Sequence, residues 1–430
     1  MVNRTIGLYQ GIALYVASIL GSGVLFISGV TANVAGPASI LSWLIVIMFS
    51  FPLAYTFACL SRDYPDAGGV ATFVRNAFGF HMGHIVGWFY FLTAAVGQTI
   101  VSLTGAFYLT HAFDLSDMGR IITAVCVLML AGVTNYYGVK VSGKVALYIS
   151  ALLLILLLIV VLISLPHMKW NNFTPFVSEG MFAIGTAVTL IFWSFFGWEA
   201  ICNLAPHFKS PKITIPRSTM ISVILIGALF LALSVVTIGT ETYGEAESNL
   251  SPLGVILEQT LGVGAKKGTA IIALIIALGT TNAYVASLTQ LGYSLSKDGA
   301  FPRFLSVREP TNHVPRRMVI FVVIFAISGL MMTELLSLTF SDILFIPTSL
   351  GLFVYIFCMA AGVKLFVKRT RPWWCSLISA IFCFSVLPFF ELYILVPVFV
   401  FMGYVIYIKC HNRTALKKRR GRHEKRSTIN

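Results

Sequence analysis

Two short stretches hold the residue types from which a recognition site could be built inside an apolar chain. The first is Gly21-Ser22-Gly23, which follows Ile19-Leu20 and precedes Val24-Leu25-Phe26-Ile27. Two glycines around a serine weaken a helix at that point. Backbone unwound inside a bilayer is tolerated only where protein, water or ligand satisfies its N–H and C=O groups. A half-helix restarting near Ser22 would aim unbonded N–H groups and the positive end of its dipole at a neighbour, which suits a carboxylate. Close packing through small residues is the competing explanation. The second stretch, Phe192-Trp193-Ser194-Phe195-Phe196-Gly197-Trp198-Glu199, places a glycine and an acid in another apolar run. Among the sixteen acidic residues, Glu199 alone falls well inside a predicted span. An ionisable group there is read first as functional; a hydrogen-bonded glutamate holding a helix break together is the alternative. Trp193, Phe195, Phe196 and Trp198 supply either packing or the wall of an aromatic pocket.

The elements that must position these residues follow from composition. The 430 residues are 57% hydrophobic and 11% charged, against roughly 45–50% and about 25% in a soluble domain, which excludes soluble enzymes and disordered chains. Runs long enough to cross about 30 Å of hydrocarbon fall near 6–33, 37–60, 83–112, 119–138, 143–165, 181–204, 216–240, 267–294, 317–337, 341–367, 372–389 and 391–409. These predict an all-α membrane protein of twelve spans. Glu391 is the one charge dividing the last two runs. With the N-terminus inside, every Lys and Arg except Arg120, Lys169, Lys266 and Lys267 lies on the cytoplasmic side. That asymmetry predicts a multi-pass plasma-membrane protein with both termini cytoplasmic. No small-residue cleavage site follows the first run, so it reads as a retained span.

Other chemistries find little support. The seven cysteines form no C-x-x-C pair and imply neither a disulfide framework nor a metal site. Gly138-Val139-Lys140-Val141-Ser142-Gly143-Lys144 nearly matches a phosphate loop, but Val145 stands where Ser or Thr must reach magnesium and no strand precedes it. The eight histidines sit near span ends or in loops, so no buried relay is visible. No cofactor is implied. The net charge of +14 follows the membrane rather than nucleic acid: the basic tail 410–430 reads as a topology anchor attracted to anionic lipid. Gln98, Thr99, Thr280, Thr281 and Asn282 offer either interhelix hydrogen bonds or pocket contacts. Arg62, Asp66 and Arg217 are candidates for contacts that close the cytoplasmic side, with a solvated or lipid-facing role as the alternative.

The interruptions fall in spans 1 and 6, five spans apart. Paired broken spans at corresponding places in two halves point to the midplane site of a secondary transporter. The expected organisation is a first five-helix unit over 1–165, a second inverted unit over 166–371, two added helices over 372–409 and the tail.

With Pro65-Asp66-Ala67-Gly68-Gly69, Phe196-Gly197-Trp198-Glu199, Lys209-Ser210-Pro211 and Ile215-Pro216-Arg217 added to Gly21-Ser22-Gly23, the chain resembles the amino acid–polyamine–organocation superfamily over essentially its whole length. Gly68-Gly69-Val70-Ala71, Gly87-Trp88 and Cys358-Met359-Ala360-Ala361-Gly362 are similar to the bacterial branch that exports neutral, hydrophobic amino acids such as methionine and the branched-chain ones. The resemblance implies a LeuT-like fold with broken helices 1 and 6. It implies a substrate carboxylate at Gly21, Ser22 and Gly23, and an ammonium held by carbonyls of Ile19, Trp193 and Phe196. Phe192 and Trp193 would contribute the aromatic wall, with Trp193 at an occluding position, and Gly197 and Glu199 would govern the break or the coupling. Related transporters often carry a lysine in span 5, where Leu153 stands here. Proton coupling, exchange and facilitated diffusion all stay open, as does oligomeric state. The expected activity is alternating-access transport of a neutral, apolar amino acid, with export as the direction. The alternatives are an exchanger or proton-coupled importer, a cationic or polyamine substrate, and a ligand-sensing receptor without flux.

Overall fold

The computed structural model describes residues 6–21, 23–65, 69–138, 143–199, 202, 205, 207–309 and 314–409. Ser22, Asp66 and the basic tail lie outside the described residues, so the expectations placed on them do too. Among the described residues the regular structure is helical, and the only β-type pairing is an isolated bridge between Ile6 and Phe208.

The first run is broken as its glycines require: Leu8–Leu20 (α1), a 3-10 turn Gly23–Leu25, then Ile27–Ala35 (α2). Helices follow at Ser39–Asp63 (α3), Gly69–Phe78 (α4), Phe80–Phe113 (α5), Asp117–Tyr136 (α6), Gly143–Ser164 (α7) and Gly180–Phe195 (α8). The chain continues as Pro211–Gly239 (α9), Ala246–Leu250 (α10), Pro252–Leu261 (α11), Val263–Lys297 (α12), Arg316–Leu335 (α13), Phe340–Leu365 (α14) and Arg371–Val386 (α15). A final helix occupies 395–409 (α16). Between α15 and α16 the backbone turns through Leu387–Ile394, where Glu391 has φ of 48°. The charge that divides the last two apolar runs therefore marks a real kink.

Nine segments among the described residues are long and apolar enough to cross a membrane, with Leu8–Leu20 and Gly180–Phe195 as shorter apolar helices. These two are short because each is the first half of a broken run. α4, α10 and α11 lie between the expected spans. α4 alternates buried Val70, Phe73, Val74 and Ala77 with exposed Arg75 and Asn76, the mark of an amphipathic helix lying along a surface. α10 and α11 are tied to α12 by Lys266, whose Nζ lies 2.5 Å from Glu247 and 2.9 Å from Glu258.

The packing repeats itself between the two halves. α3 packs on α9, α5 on α12 and α6 on α13, so each helix meets its counterpart five spans on. The crossed contacts match as well: α1 with α9 and α8 with α3, α1 with α7 and α8 with α14. Large apolar side chains including Trp43, Trp198, Phe57, Phe73 and Phe230 fill the interior at under 2% exposure.

Candidate functional site

Both breaks are local consequences of residue choice. Gly21 ends α1 with φ of 22°, and Gly23 opens the turn that leads into α2. The first N–H groups of that turn have no acceptor within their own helix. A β-carbon on Gly23 would come within 2.9 Å of Ser194 Oγ and 3.4 Å of the Trp193 ring, so glycine is what allows the two breaks to touch. α8 stops at Phe195, and Phe196 turns to extended backbone with ψ of 133°. Gly197 then takes φ of 138°, a conformation that side chains disfavour. A β-carbon there would meet the Ser18 carbonyl at 3.0 Å and Ile19 at 2.9 Å.

Glu199 closes this second break. Its Oε2 accepts from Gly197 N–H at 2.9 Å and from Tyr355 Oη at 2.5 Å. The residue is 5% exposed, and Tyr90 lies beside the same carboxyl. A buried carboxylate requires such donors, since unpaired it would cost several kcal/mol or more. These bonds tie the carboxyl and the chain after α8 to Tyr355 of α14, whose Oη also lies 3.3 Å from the Phe195 carbonyl at the end of α8.

Around the breaks lies a cavity of about 740 Å³. Ile19, Gly21, Gly23, Trp193, Phe196, Gly197 and Glu199 all line it. Phe192 does not: it is 2% exposed and stacks on Phe382 of α15 at 5.5 Å. Trp198 likewise packs on Tyr15 of α1 at 5.6 Å. The aromatic wall consists of Trp193 and Phe196, edge to face at 6.3 Å, with the Phe196 ring against Gly351 and edge to face with Tyr355 at 5.1 Å. The carbonyl of Trp193 accepts a long bond of 3.4 Å from Phe196 N–H, which leaves lone-pair capacity for a cation.

Several lining residues were not singled out in the sequence. Tyr90, Tyr284 and Tyr355 bring hydroxyls from α5, α12 and α14, and Ser194 Oγ is buried with no hydrogen-bond partner among the described residues. Ser194 was legible only as the neighbour of Trp193. Thr280 and Asn282 line the cavity, and Asn282 also takes bonds from Thr134 at 2.7 Å and Asn135 at 2.8 Å. Gln98 and Thr99 instead bond carbonyls of α13. Arg62 pairs with its neighbour Asp63 at 2.7 Å. Leu153 is buried at 3% exposure within α7, so a substituent there would enter the packed interior.

The cavity is asymmetric. It extends from the breaks past exposed Ser287 and Gln290 to Asn135, Gly138 and Pro315. On the opposite side Val24, Leu25, Phe26 and Ile27 are fully buried. Tyr108 Oη bonds the Leu25 carbonyl at 2.5 Å, and Phe340 meets Phe26 and Phe107 edge to face at 4.8 and 5.6 Å.

An all-helical bundle with two facing helix breaks and a cavity open at one end defines a multi-pass membrane transporter. The amino acid permease family model matches residues 6–409, and the chain belongs to that family, within the amino acid–polyamine–organocation superfamily. Members are transporters rather than enzymes. The chain is 30% identical over 413 residues to the "Uncharacterized amino acid permease YecA" of Bacillus subtilis (strain 168), covering 95% of this chain and 96% of that protein. It is 29% identical over 373 residues to the "L-methionine/branched-chain amino acid exporter YjeH" of Escherichia coli (strain K12), covering 86% and 88%. The "Branched-chain amino acid permease BcaP" of Bacillus subtilis (strain 168) is 23% identical over 339 residues, covering 73% and 71%.

Proposed function

We propose that the chain carries neutral, apolar amino acids of the methionine and branched-chain type across the plasma membrane by alternating access, with export as its direction. The observation that carries this reading is the meeting of two helix breaks at Gly23 and Gly197 beside an aromatic wall. N–H groups of the turn that Gly23 opens receive the carboxylate, and the carbonyls of Ile19, Trp193 and Phe196 receive the ammonium. Trp193 and Phe196 receive the side chain. Such a division of labour matches a zwitterion to the two ends of broken helices. Glu199 is already engaged by Gly197 and Tyr355, which favours a role in holding the break over service as the counter-ion of a cationic substrate.

The matched contacts between α3 and α9, α5 and α12, and α6 and α13 support two inverted units, 1–165 and 166–371, followed by 372–409. Twelve spans with cytoplasmic termini fit the basic-residue asymmetry. The open end of the cavity, at Gly138 and Pro315, then faces the cytoplasm, and the structure is an inward-open state sealed outside by Phe26, Phe107, Phe340 and Tyr108. The name of one relative, the methionine and branched-chain exporter, favours the substrate class and direction, and that of the branched-chain permease favours the substrate class. Efflux from cells preloaded with dipeptides of methionine or leucine tests both. Overproduction of the chain is expected to speed release of the free amino acid. Unchanged efflux alongside faster uptake would reverse the direction and leave the carrier reading intact.

A further inference from the structure

A second cavity, of about 470 Å³, lies between α4, α5 and α12. It shares Tyr90, Ser287 and Gln290 with the central cavity, so it is a side chamber of the same route rather than an isolated dimple. Gly83 and Gly87, one turn apart on α5, let its walls converge. A β-carbon on Gly83 would stand 3.1 Å from Arg75 Cβ, and one on Gly87 would stand 2.7 Å from Leu295.

The chamber is distinguished by its polar groups. Arg75 of α4, His84 of α5 and Asp298 at the end of α12 all line it. His84 is 7% exposed, and its Nε2 has no hydrogen-bond partner among the described residues. Its Nδ1 sits 3.5 Å from Tyr404 Oη. An unpaired buried nitrogen of this kind is destabilising, and a ligand bonding to it would relieve that penalty. Arg75 and Asp298 lie at the exposed rim of the chamber, and among the described residues neither belongs to an ion pair. A guanidinium suits a carboxylate, and an aspartate suits an ammonium. A plain anion would meet repulsion from Asp298 and a polyamine from Arg75, so one ligand that satisfies both carries both charges. The volume falls within the roughly 300–1,000 Å³ of small-molecule sites.

We propose that this chamber is a second amino-acid site, with Arg75 and His84 receiving the carboxylate and Asp298 the ammonium. The proposal rests on the reading that the chain carries neutral amino acids. The chamber collects substrate at the open mouth of the central cavity and hands it on past Tyr90, Ser287 and Gln290.

Equilibrium dialysis of labelled leucine, and separately of labelled methionine, against the full chain in phosphatidylcholine nanodiscs tests it. Two molecules per chain are expected, with Gly23→Val removing one and the Arg75→Gln, Asp298→Asn pair removing the other. Each of the two substitutions in that pair is also measured alone, so that a folding defect in one leaves the other as the test. One molecule per chain, lost in Gly23→Val, overturns the second site and leaves the transport reading standing. Two molecules retained in Arg75→Gln, Asp298→Asn place the second elsewhere and overturn the assignment. No bound leucine or methionine at all overturns both.

Discussion

Gly23, Gly197 and Glu199 show how single residues make the breaks. At Gly23 a side chain would have to share space with Ser194 Oγ and Trp193. Gly23→Val therefore overpacks the contact by about 1–3 kcal/mol, and substrate affinity should fall at least about tenfold while membrane insertion persists. Unchanged affinity in purified protein would sink the span 1 assignment. Gly197→Ala adds a β-carbon 3.0 Å from the Ser18 carbonyl at φ of 138°. A strained backbone of this kind costs about 1–3 kcal/mol, to be read as a lower melting temperature with weaker binding. Tyr355→Phe takes one donor from the Glu199 carboxyl, at about 1–3 kcal/mol. Glu199→Gln, which keeps an acceptor for Gly197 N–H, is expected to bind substrate better than Glu199→Ala. Equal loss in both would show that the carboxylate charge, not its bonding at the break, is what matters.

Among the elements, the packing proposed as the outer seal separates architecture from gating. Phe340 holds Phe26 and Phe107 by edge contacts, and such aromatic pairs contribute about 0.5–1.5 kcal/mol each beyond burial. Phe340→Ala is expected to populate the outward-open form about tenfold more, so that a cysteine at Leu25 becomes reactive to an external, impermeant thiol reagent. Unchanged protection would mean that α2 is fixed by other contacts, such as the close approach of Gly29 to Ser248 and Asn249. The elements were unevenly legible in the sequence. Apolar length placed the long helices closely, and Gly21 and Gly197 announced their breaks. α4 was missed because ten residues are too short to register as a span, and α10 and α11 for the same reason, although α11 buries Leu253, Ile256 and Leu257. Phe192 could not be separated from Trp193: inside a bilayer, lipid and protein core are equally apolar, so a hydrophobic run carries no record of which face meets the cavity. Tyr90, Tyr284 and Tyr355 were hidden for the same reason, since only the packing of α5, α12 and α14 brings them together.

For the whole molecule, the matched contacts between spans five apart and the one-sided cavity fit the proposed alternating-access carrier. If the cavity opens to the cytoplasm, cysteines introduced at Asn135 and Ser287 in a cysteine-free background should label in inverted vesicles and resist labelling in right-side-out ones. Equal labelling from both sides would describe a pore. Excess substrate is expected to slow labelling at Ser194→Cys, which lies beside Gly23, more than at Asn135→Cys near the mouth.

The most direct measurement is counterflow. Proteoliposomes loaded with unlabelled leucine or methionine are diluted into the labelled amino acid, with no imposed gradient. The proposed reading predicts transient accumulation of label inside, abolished by Gly23→Val, with lysine and putrescine failing to compete. No accumulation with either amino acid, in protein shown to be folded, would contradict a neutral amino-acid carrier built on these two breaks.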